Sequence, residues 1–133
     1  MEGGRLKKPI ISYKDLEIYR NTYRDSITIM IKIIPKLPDS EEYDLKDQLS
    51  RSCKAIPRLI AEGYAKRHQK LGFQKYLDDA LAECNETIVS LEQAKDIYGF
   101  LFDKTLCERL INNYNISAKQ IFTIRVAWRN FNK

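Results

Sequence analysis

Residues 42–63 read EYDLKDQLSRSCKAIPRLIAEG, and this stretch has the spacing of one long amphipathic helix. At 100° per residue, its apolar and small side chains fall on one side of that helix. They are Leu45, Leu49, Ser52, Cys53, Ile56, Leu59, Ile60 and Gly63. Arg51, Lys54 and Arg58 form a narrow positive stripe on the opposite side. The stretch therefore predicts a helix with one buried face and one cationic face.

Pro57 lies inside this helical pattern. A proline in a helix interior is less favourable than alanine by about 3 kcal/mol, because it has no N–H to donate and its ring meets the preceding turn. Bends in long helices commonly occur at proline. We therefore expect the helix to be kinked at Pro57.

Three further segments have helical periodicity, and the breaker PKLPDS at residues 35–40 separates the first two helices. The four predicted helices run from Ser12 to Ile34, from near Ser40 to about Arg67, from about Leu71 to Tyr98 and from about Asp103 to Phe131. Short links predict an all-α fold, an antiparallel up-down-up-down four-helix bundle over residues 12–133. Residues 1–11, with Arg5, Lys7 and Lys8, are expected to be a flexible basic N-terminal arm.

Two of these helices carry more apolar residues than one buried stripe needs. On the first helix, Leu16, Tyr19, Tyr23, Met30 and Ile33 are expected to face inward. The surplus positions are Ile18, Ile29 and Ile31 on the first helix and Ile111, Phe122 and Val126 on the fourth. We expect a homo-oligomer interface that includes Ile18, Ile29, Ile111, Phe122 and Val126. The alternative is a wide core stripe, because single exposed apolar residues are common.

Charge is divided sharply along the 133 residues, whose net charge is +5. Residues 51–75 sum to +6, residues 76–108 to −6 and residues 109–133 to +5. If the two basic segments meet in space, the molecule has one cationic and one anionic face. Such a charge distribution attracts polyanions and also favours head-to-tail self-association.

Little in the sequence indicates catalysis. His68 is the only histidine, which leaves no basis for a di-iron bundle or for a nucleophile motif. We expect no enzyme activity, no metal and no cofactor. Cys53, Cys84 and Cys107 are expected to be buried reduced thiols, and no secretion signal is evident, so a cytoplasmic location is expected. No apolar run is long enough to span a membrane.

The 42–63 stretch also contains Ile56-Pro57 followed by Ile60-Ala61-Glu62-Gly63. Together with Glu42, Tyr43, Leu45, Gln48, Leu49 and Arg51, these residues resemble the signature of a bacterial four-helix-bundle family first described as large-subunit ribosomal RNA intervening-sequence proteins. Phe73, Tyr76, Leu77, Ala80 and Glu86 resemble its later pattern. Three positions depart from it: Ser50 replaces an arginine, Ala55 a serine and Leu59 an asparagine. The resemblance extends over roughly residues 13–131.

This resemblance has functional implications. The same fold family includes the accessory variability determinant of diversity-generating retroelements. The resemblance to this accessory protein implies a homopentamer that binds nucleic acid, with RNA favoured, and that assists a reverse transcriptase. The alternative is a protein-interaction scaffold that docks an acidic protein partner without binding nucleic acid directly.

The candidate nucleic-acid-binding residues are the cations of the two basic segments, since several cations on one surface are typical of phosphate binding. They are Arg51, Lys54, Arg58, Lys66, Arg67, Lys119, Arg125 and Arg129. Ion pairs with the acidic third helix, or an ordinary solvated surface, are the alternatives. For Arg51 and Glu62 a structural ion pair is the favoured interpretation. Tyr64 and His68 could stack on unpaired bases, although tyrosines at the edge of an apolar stripe usually belong to the core.

Overall fold

The computed structural model describes the backbone of residues 9–131 and the side chains up to residue 128. Four helices account for most of this range: α1 (Glu17–Thr28), α2 (Leu45–Ala65), α3 (Gly72–Tyr98) and α4 (Lys104–Phe131). Within residues 9–131 there is no strand. The predicted all-α fold with four helices is therefore confirmed.

The first helical segment begins later than its periodicity predicts. Ser12 does act as a cap, because its Oγ accepts a hydrogen bond from the Lys14 N–H at 3.2 Å, while Asp15 accepts one from the Ser12 N–H at 3.0 Å. This cap starts only a short 3₁₀ turn, Tyr13–Asp15. Leu16 is extended, with φ −78° and ψ 125°, so α1 begins at Glu17. Residues 1–8 of the predicted basic arm lie outside the described residues.

The chain between α1 and α2 changes helical type several times. After α1 come a π-helical turn, Ile29–Ile33, and two 3₁₀ turns, Ile34–Lys36 and Asp39–Glu41. The predicted break at residues 35–40 therefore lies where the sequence places it. From Leu45 onward α2 is continuous through Pro57 to Ala65. Pro57 thus does not end the helix, and the bend there stays a prediction.

Side-chain hydrogen bonds link neighbouring elements. The Tyr98 hydroxyl at the end of α3 donates to Glu41 in the turn before α2 at 2.5 Å, and Thr87 of α3 donates to Ser52 of α2 at 2.8 Å. Between α1 and α4, Asn113 donates to Asp25 at 3.3 Å. The up-down-up-down order stays a prediction. The main packed pairs are α1 with α2, α2 with α3, α3 with α4 and α4 with α1, so α2 and α4 lie diagonally opposite.

The buried stripe of the first helical segment differs from the predicted one. It consists of Ile18, Thr22, Asp25, Ile29 and Ile33, all at most 2% exposed. Ile18 and Ile29 therefore belong to the core of the single chain, and their prediction as surplus interface residues is wrong. The physical reason is that two polar residues, Thr22 and Asp25, occupy inward positions, which hides the true stripe from a search for apolar spacing.

Each of these polar residues is accommodated differently. The Thr22 hydroxyl donates to the Ile18 carbonyl oxygen at 2.7 Å, so its burial leaves no unmet donor. Asp25 accepts at Oδ1 from Asn113 and from Arg24, but its buried Oδ2 has no hydrogen-bond partner. Burial raises the pKa of the Asp25 carboxyl above its ordinary value, against the lowering effect of Arg24. A polar side chain is thus kept in the core at a cost to stability.

An aromatic cluster closes the end of the bundle where α2, α3 and α4 meet. The Phe73 ring is completely buried and meets Tyr64 edge-on at 6.0 Å and Trp128 edge-on at 4.9 Å between ring centroids. Gly63 of α2 lies against the same part of α3. A Cβ atom added at Gly63 would lie 2.5 Å from the Tyr76 Cβ. The two helices therefore approach each other closely at this glycine.

Candidate nucleic-acid interface

Three cations define the outward face of α2. Arg51, Lys54 and Arg58 are all exposed, whereas Cys53 and Ile56 on the opposite side of the helix are fully buried. Spacings of three and four residues place the three cations within about 60° of one another around the helix axis. We call Arg51, Lys54 and Arg58 the cationic stripe.

Two members of the cationic stripe lack internal partners. Arg51 donates to Asp47 at 3.0 Å, one turn earlier on the same helix. Such an exposed pair contributes little to stability and can exchange its partner. Among the described side chains, neither Lys54 nor Arg58 forms an ion pair. Within the chain Arg51 pairs with Asp47 and not with Glu62, and a pairing between subunits stays a prediction. The stripe retains positive charge at Lys54 and Arg58.

A groove of about 600 Å³ runs along one side of the stripe. It lies between α2 and the segment formed by the Tyr13–Asp15 turn and α1. We call it the tyrosine groove. It is lined by Tyr13, Tyr19, Tyr23, Ser26 and Ile27 on one side and by Lys54, Pro57, Arg58, Ala61 and Glu62 on the other. A second groove of about 420 Å³, the α2–α3 groove, is lined by Arg51, Lys54, Ala55, Arg58, Leu59, Glu62 and Glu83. The cationic stripe is therefore the ridge between two open grooves.

The three tyrosines form a column of rings. Tyr13 meets Tyr19 edge-on at 4.8 Å between centroids, and Tyr19 stacks on Tyr23 at 5.7 Å with 27° between the ring planes. Tyr23 is 51% exposed. Its prediction as an inward-facing residue is wrong, since Thr22 and Asp25 take the inward positions beside it. The signal that could have found this column is the spacing of Tyr19 and Tyr23, which places both rings on one helix face.

The chain can now be compared with known proteins. A family model described as 23S rRNA-intervening sequence protein matches residues 14–122. The chain belongs to this family. No curated protein and no solved structure matches it. The matched range contains α1, α2, α3, the cationic stripe and two of the three tyrosines of the column.

Some residues of the α2 segment that resembles the family signature lie in the core, and others line the two grooves. Ile56 and Ile60 are buried in the core, and Gly63 allows the close approach of α3. Glu62 instead lies on the rim of both grooves. Of the three departures from the family pattern, Ala55 and Leu59 line the α2–α3 groove, and neither lines the tyrosine groove. The third departure, Ser50, lines neither groove.

The cations at the end of α2 are held by aromatic neighbours. Lys66 donates from Nζ to the Tyr76 hydroxyl at 2.9 Å, and this hydrogen bond raises the pKa of Lys66. The Arg67 guanidinium lies 4.1 Å from the Tyr64 ring centroid and donates to the Tyr64 carbonyl oxygen at 2.9 Å. Tyr64 is buried, as its alternative interpretation expected, whereas His68 is exposed. These contacts hold both side chains beside the helix end, and neither cation forms an ion pair among the described side chains.

The predicted cations of α4 form a separate surface. Arg125 makes a two-point ion pair with Asp78 of α3, in which Nη2 donates to Oδ2 at 3.0 Å. Lys119 is exposed beside Glu17 and Gln120. The side chain of Arg129 lies outside the described residues. Because α2 and α4 lie diagonally opposite, Lys119 and Arg125 lie on a different side of the chain from the cationic stripe.

The remaining reactive side chains are buried. Cys53, Cys84 and Cys107 are free thiols in the core, and burial raises the pKa of Cys53 and Cys84 to about 12 and that of Cys107 to about 11. Among the described residues, no three histidine, cysteine, aspartate or glutamate side chains are arranged to hold a metal ion. None of the helices described is long and apolar enough to cross a membrane.

Proposed function

We propose that this protein binds nucleic acid, with structured RNA as the favoured ligand, through the cationic stripe of α2 and without catalysing a reaction. The observation that carries this proposal is the pair of exposed cations, Lys54 and Arg58, which have no ion-pair partner among the described side chains. Cations already paired with carboxylates must give up those contacts to bind phosphate. Lys54 and Arg58 need not, so their charge is available to a polyanion.

We favour RNA as the ligand because of the resemblance to retroelement accessory proteins, and the free charge of the cationic stripe suits its phosphates. Following the resemblance to retroelement accessory proteins, we further propose a reverse transcriptase as a protein partner. The cytoplasm is the proposed location. The rival function is a scaffold whose cationic stripe docks an acidic protein. Salt dependence separates the two, because phosphate binding releases condensed counterions.

The Lys54→Gln/Arg58→Gln variant is expected to bind a structured RNA at least about tenfold more weakly than the unaltered protein at about 50 mM salt. The slope of log affinity against log salt should become shallower by about 1.5, since two phosphate contacts are removed. Fluorescence anisotropy at several salt concentrations measures both quantities.

The matched control is Lys32→Gln/Lys36→Gln, which removes the same charge from two exposed residues that line neither groove. This control should change the affinity for RNA by less than about threefold. It alters only the long-range electrostatic potential at the cationic stripe and removes no phosphate contact there. Equal losses in both double variants would contradict a site on α2. An absence of RNA binding at low salt would refute the proposed function and favour the scaffold.

We also propose that the chain assembles as a homo-oligomer, with a pentamer favoured, through the outer face of α4. Phe122 is 56% exposed there, and Ile111 and Val126 are partly exposed nearby. Light scattering should give a particle about five times the chain mass of 15.6 kDa. Phe122→Ser should shift the particle toward smaller species, whereas Val89→Ser, at a 51% exposed site on α3, should not. A monomer in the unaltered protein would contradict the proposed assembly.

A further inference from the structure

The tyrosine groove presents one exposed ring, Tyr23, supported by Tyr13 and Tyr19, which pack partly against the core. Tyr19 and Tyr23 stack on each other, and about half of Tyr23 remains accessible to solvent. Thr22 and Asp25 beside them carry the contacts to the interior. Aromatic rings are seldom left exposed in a contiguous group unless a ligand or partner covers them. The column therefore offers a ring face and ring edges to a planar group.

The opposite side of the same groove offers positive charge. Lys54 and Arg58 line it, and neither forms an ion pair among the described side chains. A volume of about 600 Å³ lies within the range of sites that enclose small molecules, about 300–1,000 Å³. The groove thus combines room for a nucleotide-sized group with aromatic rings on one side and free cations on the other.

An unpaired nucleotide segment has the complementary chemistry. Its base can stack on an aromatic ring while its phosphates meet cations, and single-strand-binding proteins combine these two contacts. In a duplex the base faces are already stacked on neighbouring pairs, so a duplex could use the cations but not the rings. An acidic peptide without aromatic residues would likewise leave the ring column without a matched partner. We propose that the tyrosine groove binds a single-stranded segment of RNA or DNA, with a base stacked against Tyr23 and its phosphates at Lys54 and Arg58.

The single acidic residue among those lining the groove sets the direction of the phosphates. Glu62 lies one turn beyond Arg58 on α2 and is exposed at the rim. Its carboxylate repels phosphate but can accept hydrogen bonds from the amino groups of bases. The phosphate path is therefore at Lys54 and Arg58, and the base edges lie toward Glu62.

This inference rests on the proposed nucleic-acid binding, and the test compares two labelled probes for that reason. The probes are an oligouridine of about 12 nucleotides and an RNA duplex of the same length, at one salt concentration. Tyr23→Ala is expected to weaken binding of the single strand by roughly 5- to 150-fold, because one base loses its stacking partner. Duplex affinity should change by less than about twofold, since the cationic stripe is unaltered.

Two control variants isolate the ring. Tyr23→Phe keeps the ring and loses the hydroxyl, so it should retain the single-strand affinity of the unaltered protein. Tyr43→Ala removes a tyrosine that is 94% exposed and lies outside the groove, so it should have no effect. If both probes bind and Tyr23→Ala weakens neither, or weakens both equally, the inference about the groove is overturned and the proposed function stands. If the unaltered protein binds neither probe, both are overturned.

Discussion

Replacing Phe73 with alanine is expected to lower the free energy of unfolding by about 3–5 kcal/mol. The Phe73 ring is completely buried and contacts Tyr64 of α2 and Trp128 of α4, so its removal leaves a cavity where three helices meet. Two edge-on aromatic contacts disappear together with the buried apolar area. Because domains of this size are stable by only about 5–15 kcal/mol, the loss should be visible in any unfolding experiment. Urea unfolding at fixed chain concentration measures it.

The matched control for this substitution is Phe100→Ala. Phe100 follows α3 and is 82% exposed, so the same chemical change removes almost no buried area. Its effect should remain within about 0.5 kcal/mol. A loss at Phe73 no greater than the loss at Phe100 would show that the aromatic cluster does not join α2, α3 and α4 in solution as described.

The Gly63→Ala variant is expected to lose about 2 kcal/mol of stability, although alanine favours a helix over glycine by about 1 kcal/mol. The added Cβ would lie 2.5 Å from the Tyr76 Cβ and 3.0 Å from the Phe73 Cδ1. A Cβ atom is fixed to the backbone and no rotamer change can move it away, so α2 and α3 must separate. Overpacking of this kind commonly destabilises by about 1–3 kcal/mol or more.

A double-mutant cycle tests the cause of that loss. Tyr76→Gly removes the atom that the new Cβ meets, so Gly63→Ala should be less destabilising in the Tyr76→Gly background than in the unaltered protein. The exposed Ala82→Gly substitution on α3 measures the helix-propensity term separately. Equal losses from Gly63→Ala in both backgrounds would contradict a steric origin.

Apolar periodicity was sufficient to predict the long helices but not the buried face of α1. The sequence predicts the ends of α3 and α4 to within about a residue. Asp103, the expected start of α4, accepts a hydrogen bond from the Leu106 N–H at 3.0 Å. On α1 the inward Thr22 and Asp25 interrupt the apolar pattern, so apolar spacing alone points to Tyr19 and Tyr23 instead. Polar residues in a core depend on partners from other helices, which periodicity along one helix does not reveal.

Only the part of the candidate site that lies on a single helix can be predicted from the sequence. The cationic stripe follows directly from the spacing of Arg51, Lys54 and Arg58 along one helix. The tyrosine groove could not be predicted, because it forms only where α1 packs against α2. Likewise, sequence alone does not show that Arg125 is paired with Asp78 across two helices, 47 residues apart. Properties of one helix were accessible from sequence, and properties of a helix pair were not.

The diagonal placement of α2 and α4 has a consequence for the strength of binding to long nucleic acids. If the proposed assembly through α4 forms, α2 lies on the far side of each subunit, so the proposed binding helix stays uncovered. Every subunit would then contribute one site, and a strand held at the first site would meet the next at a high effective concentration. Such avidity would let weak individual contacts hold a long strand firmly and release a short one.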